Sequence, residues 1–247
     1  MKAAAGAPPA GGELIDRFAD ALWIEDGLAA STLAAYRRDL ALYAGWLARE
    51  HGRAITDSTE TDLLAYAVAR HAGSKASSAN RRLTVFKRFF RWALREQLTR
   101  ADPTLKMSAA KAPLRVPKTL SEAQVEALLA APDIETPLGL RDRAMLELMY
   151  ASGLRVSELV TLKGVHLSMS EGALRVTGKG SKERLVPFGE EARAWLERYL
   201  AEARGEILQG QASDALFVTA RGGAMTRQMF WKLVKAHALR AGVQVPL

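Results

Sequence analysis

Arg155 and Lys179 lie in two short stretches of sequence that suit the binding and chemistry of a phosphate group. Arg155 follows Gly153, a residue that can end a helix in the left-handed conformation, and the residues after it can begin another helix. A helix N-terminus favours an anion through its free backbone N–H groups and its dipole. An arginine can hold two phosphate oxygens at once, whereas a lysine cannot. Glu158, three residues further on, is placed to orient Arg155.

Lys179 lies in a predicted tight turn between two predicted strands, 173–177 and 183–186. The glycines on either side of it allow the backbone to approach a ligand closely. A lysine on such a turn can reach into a neighbouring groove and donate its proton to a leaving oxygen. Lys182 and Arg184, on the same turn and strand, are predicted to hold phosphate.

Each of these two motifs also has a purely structural interpretation when it is taken alone. Arg155 and Glu158 can be an ordinary ion pair on a helix, and Lys179 can be a solvated hairpin residue. A P-loop is excluded for the second motif, because Gly180 occupies the required Ser/Thr position and no helix follows. The two motifs are more informative together than either is alone.

A second group of basic residues is concentrated in one predicted helix, from Ser77 to Arg100. Between positions 81 and 100 this helix holds seven basic residues against one acid, Glu96. A solvent-exposed helix normally mixes the two signs, so the bias predicts a surface that faces phosphates. The candidate DNA-binding residues of this and other predicted helices are Arg37, Arg38, Arg81, Arg82, Lys87, Arg88, Thr226, Arg227 and Gln228. Phe230 and Trp231, by contrast, are predicted to be core residues.

The composition favours a polyanionic partner. The 247 residues carry 35 Lys and Arg against 27 Asp and Glu, a formal net charge of +8. This balance favours nucleic acid over an anionic membrane surface. The absence of cysteine excludes disulfides, thiolate metal sites and cysteine nucleophiles, and the four histidines show no metal-ligand spacing.

The sequence shows no membrane span and no signal peptide. No apolar stretch approaches the roughly 20 residues that a span requires. The Ala-, Gly- and Pro-rich start, residues 1–12, lacks the apolar core of a signal peptide and is predicted to be a disordered tail. The protein is therefore expected to be cytoplasmic.

The predicted fold is mainly α-helical with a small β-hairpin, in two domains. Apolar residues at three- and four-residue steps predict four short helices packed as a bundle between positions 13 and 100. Residues 101–118, with three prolines and four basic residues, predict an extended basic linker; an ordinary surface loop is the alternative. A capping box formed by Ser121 and Gln124 opens the second domain, 119–247. Its predicted helices are 122–130, 140–151, 190–203 and 226–241.

Taken together, these segments resemble the tyrosine recombinases, enzymes that cut and rejoin DNA through a phosphotyrosine. The matching stretches follow in the family's order over nearly the whole chain, at residues 21–23, 32–40, 120–126, 150–159, 177–184 and 225–231. The resemblance implies a helical, SAM-like core-binding domain at 13–100 and a mixed α/β catalytic domain at 119–247, which clamp around double-stranded DNA. It also implies that Arg155 is the first catalytic arginine and Lys179 the catalytic lysine, with Glu158 in support.

The resemblance further implies site-specific recombination through a 3′-phosphotyrosine. The implied biological role is the resolution of chromosome dimers. No metal or nucleotide cofactor is expected, because the covalent intermediate conserves the energy of the broken phosphodiester. The expected partners are double-stranded DNA, a second recombinase in a heterotetramer on DNA, and a DNA translocase that regulates the reaction. No membrane partner is expected.

Part of the family pattern is not found among these 247 residues. The family's remaining catalytic groups are a His-x-x-Arg motif, a later His or Trp, and the nucleophilic tyrosine. The tyrosines present, which are predicted to be packing residues, are Tyr36, Tyr43, Tyr66, Tyr150 and Tyr199. The catalytic domain is thus expected to be truncated, so that this chain binds DNA without cleaving it. The alternatives are a DNA-binding module without catalysis and a phage-type integrase of the same fold.

Overall fold

The computed structural model describes residues 11–70, 76–110, 119–178 and 182–244. The chain divides into two compact units, Met1–Arg115 and Val116–Leu247. Each unit has a hydrophobic core of its own. The predicted linker contains this division, although its residues 111–118 lie outside the described ranges.

The described part of the first unit is built from α-helices. They are α1 Gly12–Asp26, α2 Ala30–His51, α3 Glu60–Ala69 and α4 Ala76–Arg95. Gly27 ends α1 in the left-handed conformation, at φ +60°, which a glycine adopts without steric cost. A capping box begins α3, because Thr59 and Asp62 each accept the other's backbone N–H. These elements confirm the helices predicted for this region within the described residues.

Aromatic side chains form much of the core of the first unit. Phe18 of α1 packs edge-to-face on Phe89 of α4, with ring centroids 5.4 Å apart. Tyr43 of α2 lies 5.0 Å from both Tyr66 of α3 and Phe86 of α4. Helix α4 therefore packs against the other three helices, and its basic residues occupy the surface that remains.

The second unit combines helices with a small sheet. Its elements are α5 Glu122–Ala130, α6 Pro137–Ser152, α7 Val156–Val160, β1 Leu167–Ser168, β2 Ala173–Thr177, β3 Glu183–Pro187, α8 Glu190–Arg198, α9 Arg204–Leu208 and α10 Arg227–Arg240. A π-helical turn, Tyr199–Ala203, joins α8 to α9. The predicted capping box of α5 is confirmed, since Ser121 and Gln124 exchange hydrogen bonds of 3.0 and 3.3 Å.

Within the described residues the sheet is antiparallel, with the strand order β1-β2-β3. The predicted hairpin is confirmed as β2 and β3, whereas β1 was not predicted, because a two-residue strand is too short to show alternation. Val176 of β2 pairs with Arg184 of β3. Directly paired residues of an antiparallel ladder point to the same face, and Val176 is buried. Arg184 therefore extends from the core side of the hairpin.

Two polar contacts fix the positions of the later elements in the second unit. Arg141 of α6 is buried and donates to the backbone carbonyl of Val218, at 3.0 Å. His237 of α10 lies 3.0 Å from the carboxylate of Asp142, also in the buried part of α6. Helix α6 thus holds both the segment before α10 and α10 itself.

Candidate active site

Arg155 lies where the sequence predicted it, between a glycine-terminated helix and the start of the next one. Gly153 ends α6 at φ +62°, and its N–H donates to the carbonyl of Met149 at 3.0 Å. Arg155 is the extended residue before α7, and its side chain is 72% exposed. Helix α7 has only five residues, so its dipole is short. Binding of an anion here depends on the guanidinium more than on the helix end.

Glu158 joins Arg155 to a second arginine that the sequence had not connected to it. It accepts the backbone N–H of Arg155 at 2.9 Å and the Nη1 of the same residue at 3.1 Å. It also accepts Nη1 and Nη2 of Arg184, each at 3.0 Å. The Glu158 side chain is 8% exposed and is therefore a nearly buried anion with two cationic partners.

These contacts keep Glu158 ionised. The hydrogen bonds from Arg184 are the largest cause that lowers its pKa, from 4.5 to about 2, with further lowering by Arg155. Burial alone would raise the pKa, because it disfavours the charged form. Glu158 therefore stays ionised at any pH near neutral. Arg155 faces solvent and is held on one side by this carboxylate.

The hairpin turn closes next to this cluster. The N–H of Gly178 donates to the carbonyl of Lys182 at 2.7 Å. Lys179 itself lies outside the described residues, so its predicted role stays a prediction. Lys182 is exposed and forms no ion pair with any described residue. Arg184, which is also predicted to hold phosphate, donates to Glu158 through both terminal nitrogens, and its phosphate contact stays a prediction.

A pocket of about 250 Å³ lies beside Glu158, between α7 and β2. It is lined in part by His166 and Arg175, neither of which is a candidate from the sequence. Neither His166 nor Arg175 belongs to a recognisable local sequence motif. Only the packing of the sheet brings the two residues towards α7. The pocket is smaller than the roughly 300–1,000 Å³ typical of small-molecule sites.

In the first unit, carboxylates from α1 and α2 pair with the basic residues of α2 and α4. Arg37 contacts Asp16 and Asp20. The pairs formed by α4 are Arg81 with Asp39 at 2.5 Å, Arg88 with Asp26 at 2.6 Å and Arg95 with Glu25 at 2.7 Å. The charge bias of α4 along its own sequence is therefore partly balanced in space, which counting residues within one helix cannot detect.

Among the other candidate DNA-binding residues, Arg38 and Lys87 form no ion pair within the described ranges. In the second unit, Arg227 and Gln228 are exposed in the first turn of α10. The hydroxyl of Thr226 accepts the backbone N–H of Met229 at 3.1 Å and so caps that helix.

The prediction that Trp231 is a core residue is wrong. Phe230 is buried, but Trp231 is 40% exposed, and the ammonium of Lys235 lies 5.3 Å from the centre of its ring. Neighbouring positions of a helix point in directions about 100° apart, so the two aromatic residues cannot share one face. The absence of any acid from α10 was the signal in the sequence that this surface is basic.

Within the described residues, no helix is both long and apolar enough to cross a membrane. No group of His, Asp and Glu side chains in those ranges is arranged to hold a metal ion.

Comparison with known families accounts for both units. The profile of the phage integrase family matches residues 118–247. The profile of the phage integrase N-terminal SAM-like domain matches residues 15–97.

Individual relatives agree with the profiles. Tyrosine recombinase XerD of Ralstonia nicotianae is 64% identical over 241 residues, which cover 97% of this chain and 78% of the relative. Tyrosine recombinase XerD of Pseudomonas aeruginosa is 52% identical over 232 residues, covering 93% of this chain and 77% of the relative.

Solved structures show the same fold. XerH site-specific recombinase bound to a palindromic difH substrate, in a post-cleavage complex, has a TM-score of 0.69 at 16% identity, and the match covers 96% of this chain and 69% of that one. A lambda integrase dimer bound to a COC′ core site has a TM-score of 0.67 at 17% identity, covering 94% and 79%. With its two domain matches and its close relatives, the chain belongs to the phage integrase family, the site-specific tyrosine recombinases.

Proposed function

We propose that this recombinase resolves chromosome dimers at a dif-like DNA site, in the XerD role. The observation that carries the proposal is the 64% identity to a XerD over 97% of the chain, together with an Arg155–Glu158 pair in the family's motif. The difH substrate in the structure of the XerH complex supports the proposal that the DNA site is dif-like.

In this proposal Arg155 binds the scissile phosphate. When a tyrosine attacks phosphorus, negative charge develops on the non-bridging oxygens, and a preorganised cation is worth more there than in water. Glu158 restrains one terminal nitrogen of Arg155. The Arg155 side chain forms no other hydrogen bond with a described residue. The free N–H groups of Arg155 are then available to two phosphate oxygens.

Lys179 is the proposed general acid. The 5′ oxygen leaves as an alkoxide unless a proton is supplied, and a positioned donor is worth roughly 10²–10⁴ in rate. Lys182, exposed at the end of the same turn, is proposed to hold a neighbouring phosphate.

Each of the two units is proposed to contact DNA. We assign residues 13–100 to a core-binding domain, 101–118 to a linker and 119–247 to the catalytic domain. The proposed backbone contacts of the core-binding domain are Arg37, Arg38, Arg81, Arg82, Lys87 and Arg88. In the catalytic domain, Thr226, Arg227 and Gln228 are exposed at the start of α10 and are side chains of the types that contact phosphates and base edges.

The proposed assembly is a heterotetramer on DNA with a second, XerC-like recombinase, activated by an FtsK-like DNA translocase, in the cytoplasm. The multimeric DNA complexes of structural neighbours support an assembly of several recombinase chains. Neither a metal nor a nucleotide is required, because the phosphotyrosine conserves the bond energy.

A nicked duplex that traps the covalent intermediate tests the proposal. An enzyme form that carries the family's tyrosine should become attached to the 3′ phosphate of a dif-like duplex, and much less to a shuffled duplex of equal composition. Arg155→Ala in the same form is the control and should bind without becoming attached. Binding to dif-like DNA with no adduct in either protein would contradict a catalytic function and leave a DNA-binding module.

A further inference from the structure

Arg184 occupies an unusual position for a charged residue. It pairs with the buried Val176 and so extends from the core face of the β2–β3 hairpin, at the end nearest the turn. Its side chain remains 42% exposed. The face on which it lies directs the side chain towards α7, where the guanidinium meets Glu158.

The guanidinium of Arg184 reaches Glu158 through both terminal nitrogens. The path runs past Gly178: a Cβ placed on that glycine would lie 3.3 Å from Nη1 of Arg184. The glycine thus leaves the room in which the guanidinium lies. A two-pronged arginine–carboxylate contact restricts both the distance and the orientation of the groups it joins.

One carboxylate consequently connects two elements of the site. Glu158 belongs to α7 and anchors Arg155 through backbone and side chain. Arg184 belongs to β3, two residues beyond the turn that begins at Gly178 and ends at Lys182. Moving Arg184 onto a phosphate would leave the nearly buried Glu158 with Arg155 as its remaining partner, which is unfavourable.

We propose that Arg184 is a positioning residue for the cleavage step. Through Glu158 it holds strand β3 against α7, and with that strand the hairpin to which the proposed general acid belongs. This inference rests on the proposed general-acid role of Lys179. It replaces the predicted phosphate contact of Arg184 with a contact inside the protein.

The test compares two substrates in an enzyme form that carries the nucleophilic tyrosine. One is ordinary DNA; the other has sulfur in place of the 5′ bridging oxygen, and its thiolate leaves without a proton. Arg184→Gln and Arg184→Lys should each cleave ordinary DNA about 10–10² times more slowly, since a misplacement near 1 Å has effects of that size. Both variants should cleave the sulfur substrate at near wild-type rate, with unchanged DNA affinity.

Arg193→Gln is the matched control. Arg193 is an arginine of α8 that pairs with Glu197 of its own helix at 3.0 Å and takes no part in the proposed site. It should leave both rates unchanged. Lys179→Ala tests the premise separately: sulfur should rescue it, and a failure there overturns the general-acid role and the inference together.

Three results would overturn the inference while Lys179→Ala is still rescued. Slow cleavage of both substrates by the Arg184 variants would show that the residue does not act through the proton donor. A salt dependence of binding weakened by about one unit of slope would show a phosphate contact instead. Wild-type cleavage of ordinary DNA by Arg184→Lys would show that the two-pronged geometry is dispensable.

Discussion

Glu158 and Arg184 are 26 residues apart in the chain, yet their side chains meet in two hydrogen bonds of 3.0 Å each. The same carboxylate accepts the backbone N–H of Arg155. Helix α7 and strand β3 are therefore connected through Glu158, directly beside Arg155, the proposed phosphate-binding residue. The contact is charge-assisted on both sides, which makes it stronger than a neutral pair of hydrogen bonds.

Replacement of Glu158 by Gln should destabilise the protein in a pH-dependent way. The pKa of this carboxyl is lowered from 4.5 to about 2, mainly by Arg184. A carboxyl with a lowered pKa stabilises the folded state above its unfolded pKa, and this contribution disappears as the pH falls through the folded value. The wild-type excess in the free energy of unfolding should therefore be full near pH 7, shrink below about pH 4.5 and vanish near pH 2.

Urea denaturation over that pH range measures the difference. Glu183→Gln is the control. Glu183 is an exposed carboxylate of the β2–β3 hairpin and lies 3.8 Å from Arg175. An excess that remained constant down to pH 2 would show that the ionisation of Glu158 does not supply the difference in stability.

In an enzyme form that carries the nucleophilic tyrosine, Arg155→Lys should slow cleavage far more than it weakens binding. The lysine keeps the positive charge but cannot span two phosphate oxygens as charge develops in the transition state. A loss of about 10²–10³ in single-turnover rate is expected, with DNA affinity within a few-fold of wild type. Mobility shifts and cleavage on the same duplex compare the two. Equal losses in rate and affinity would reduce Arg155 to a residue that only positions DNA.

The sequence predicted those parts of the fold that depend on neighbouring residues. The capping box of Ser121 and Gln124 needs only a three-residue spacing, and the β2–β3 hairpin needs two alternating strands around a turn. Arg155 at the start of α7 follows likewise from Gly153.

The missed features depend on how distant segments pack. The partner of Arg184 is set by the side of the hairpin that faces α7, and the partners of Arg81 and Arg88 come from α2 and α1. Trp231 follows a buried phenylalanine in an apolar stretch, and only the rotation of α10 against α6 places it outside.

The salt dependence of DNA binding should show whether the basic residues of α4 face the DNA. Lys87 has no ion pair within the described residues, so Lys87→Gln should lower the slope of log affinity against log salt by about 0.9. Asp26→Asn frees Arg88 from its 2.6 Å partner and should raise the slope. Mobility shifts at several salt concentrations measure both. If neither substitution changed the slope, α4 would face away from DNA.

Thr226 allows the start of α10 to be placed against DNA or away from it. Its hydroxyl caps the helix by accepting the N–H of Met229 at 3.1 Å, so Thr226→Ala should cost about 1 kcal/mol of stability. Asn and Asp cap a helix at least as well as Thr. Thr226→Asn and Thr226→Asp should therefore both fold with wild-type stability, and they differ from each other by one negative charge.

That difference isolates the electrostatics of the site. If Thr226, Arg227 and Gln228 face phosphates, Thr226→Asp places a carboxylate against them and should weaken DNA binding at least ten-fold at low salt. The loss should shrink as added salt screens the repulsion. Thr226→Asn should bind nearly as well as wild type, since it adds no charge. Equal affinities of the Asn and Asp variants, with thermal denaturation showing both to be stable, would mean that α10 begins away from the DNA and that Thr226 serves the helix alone.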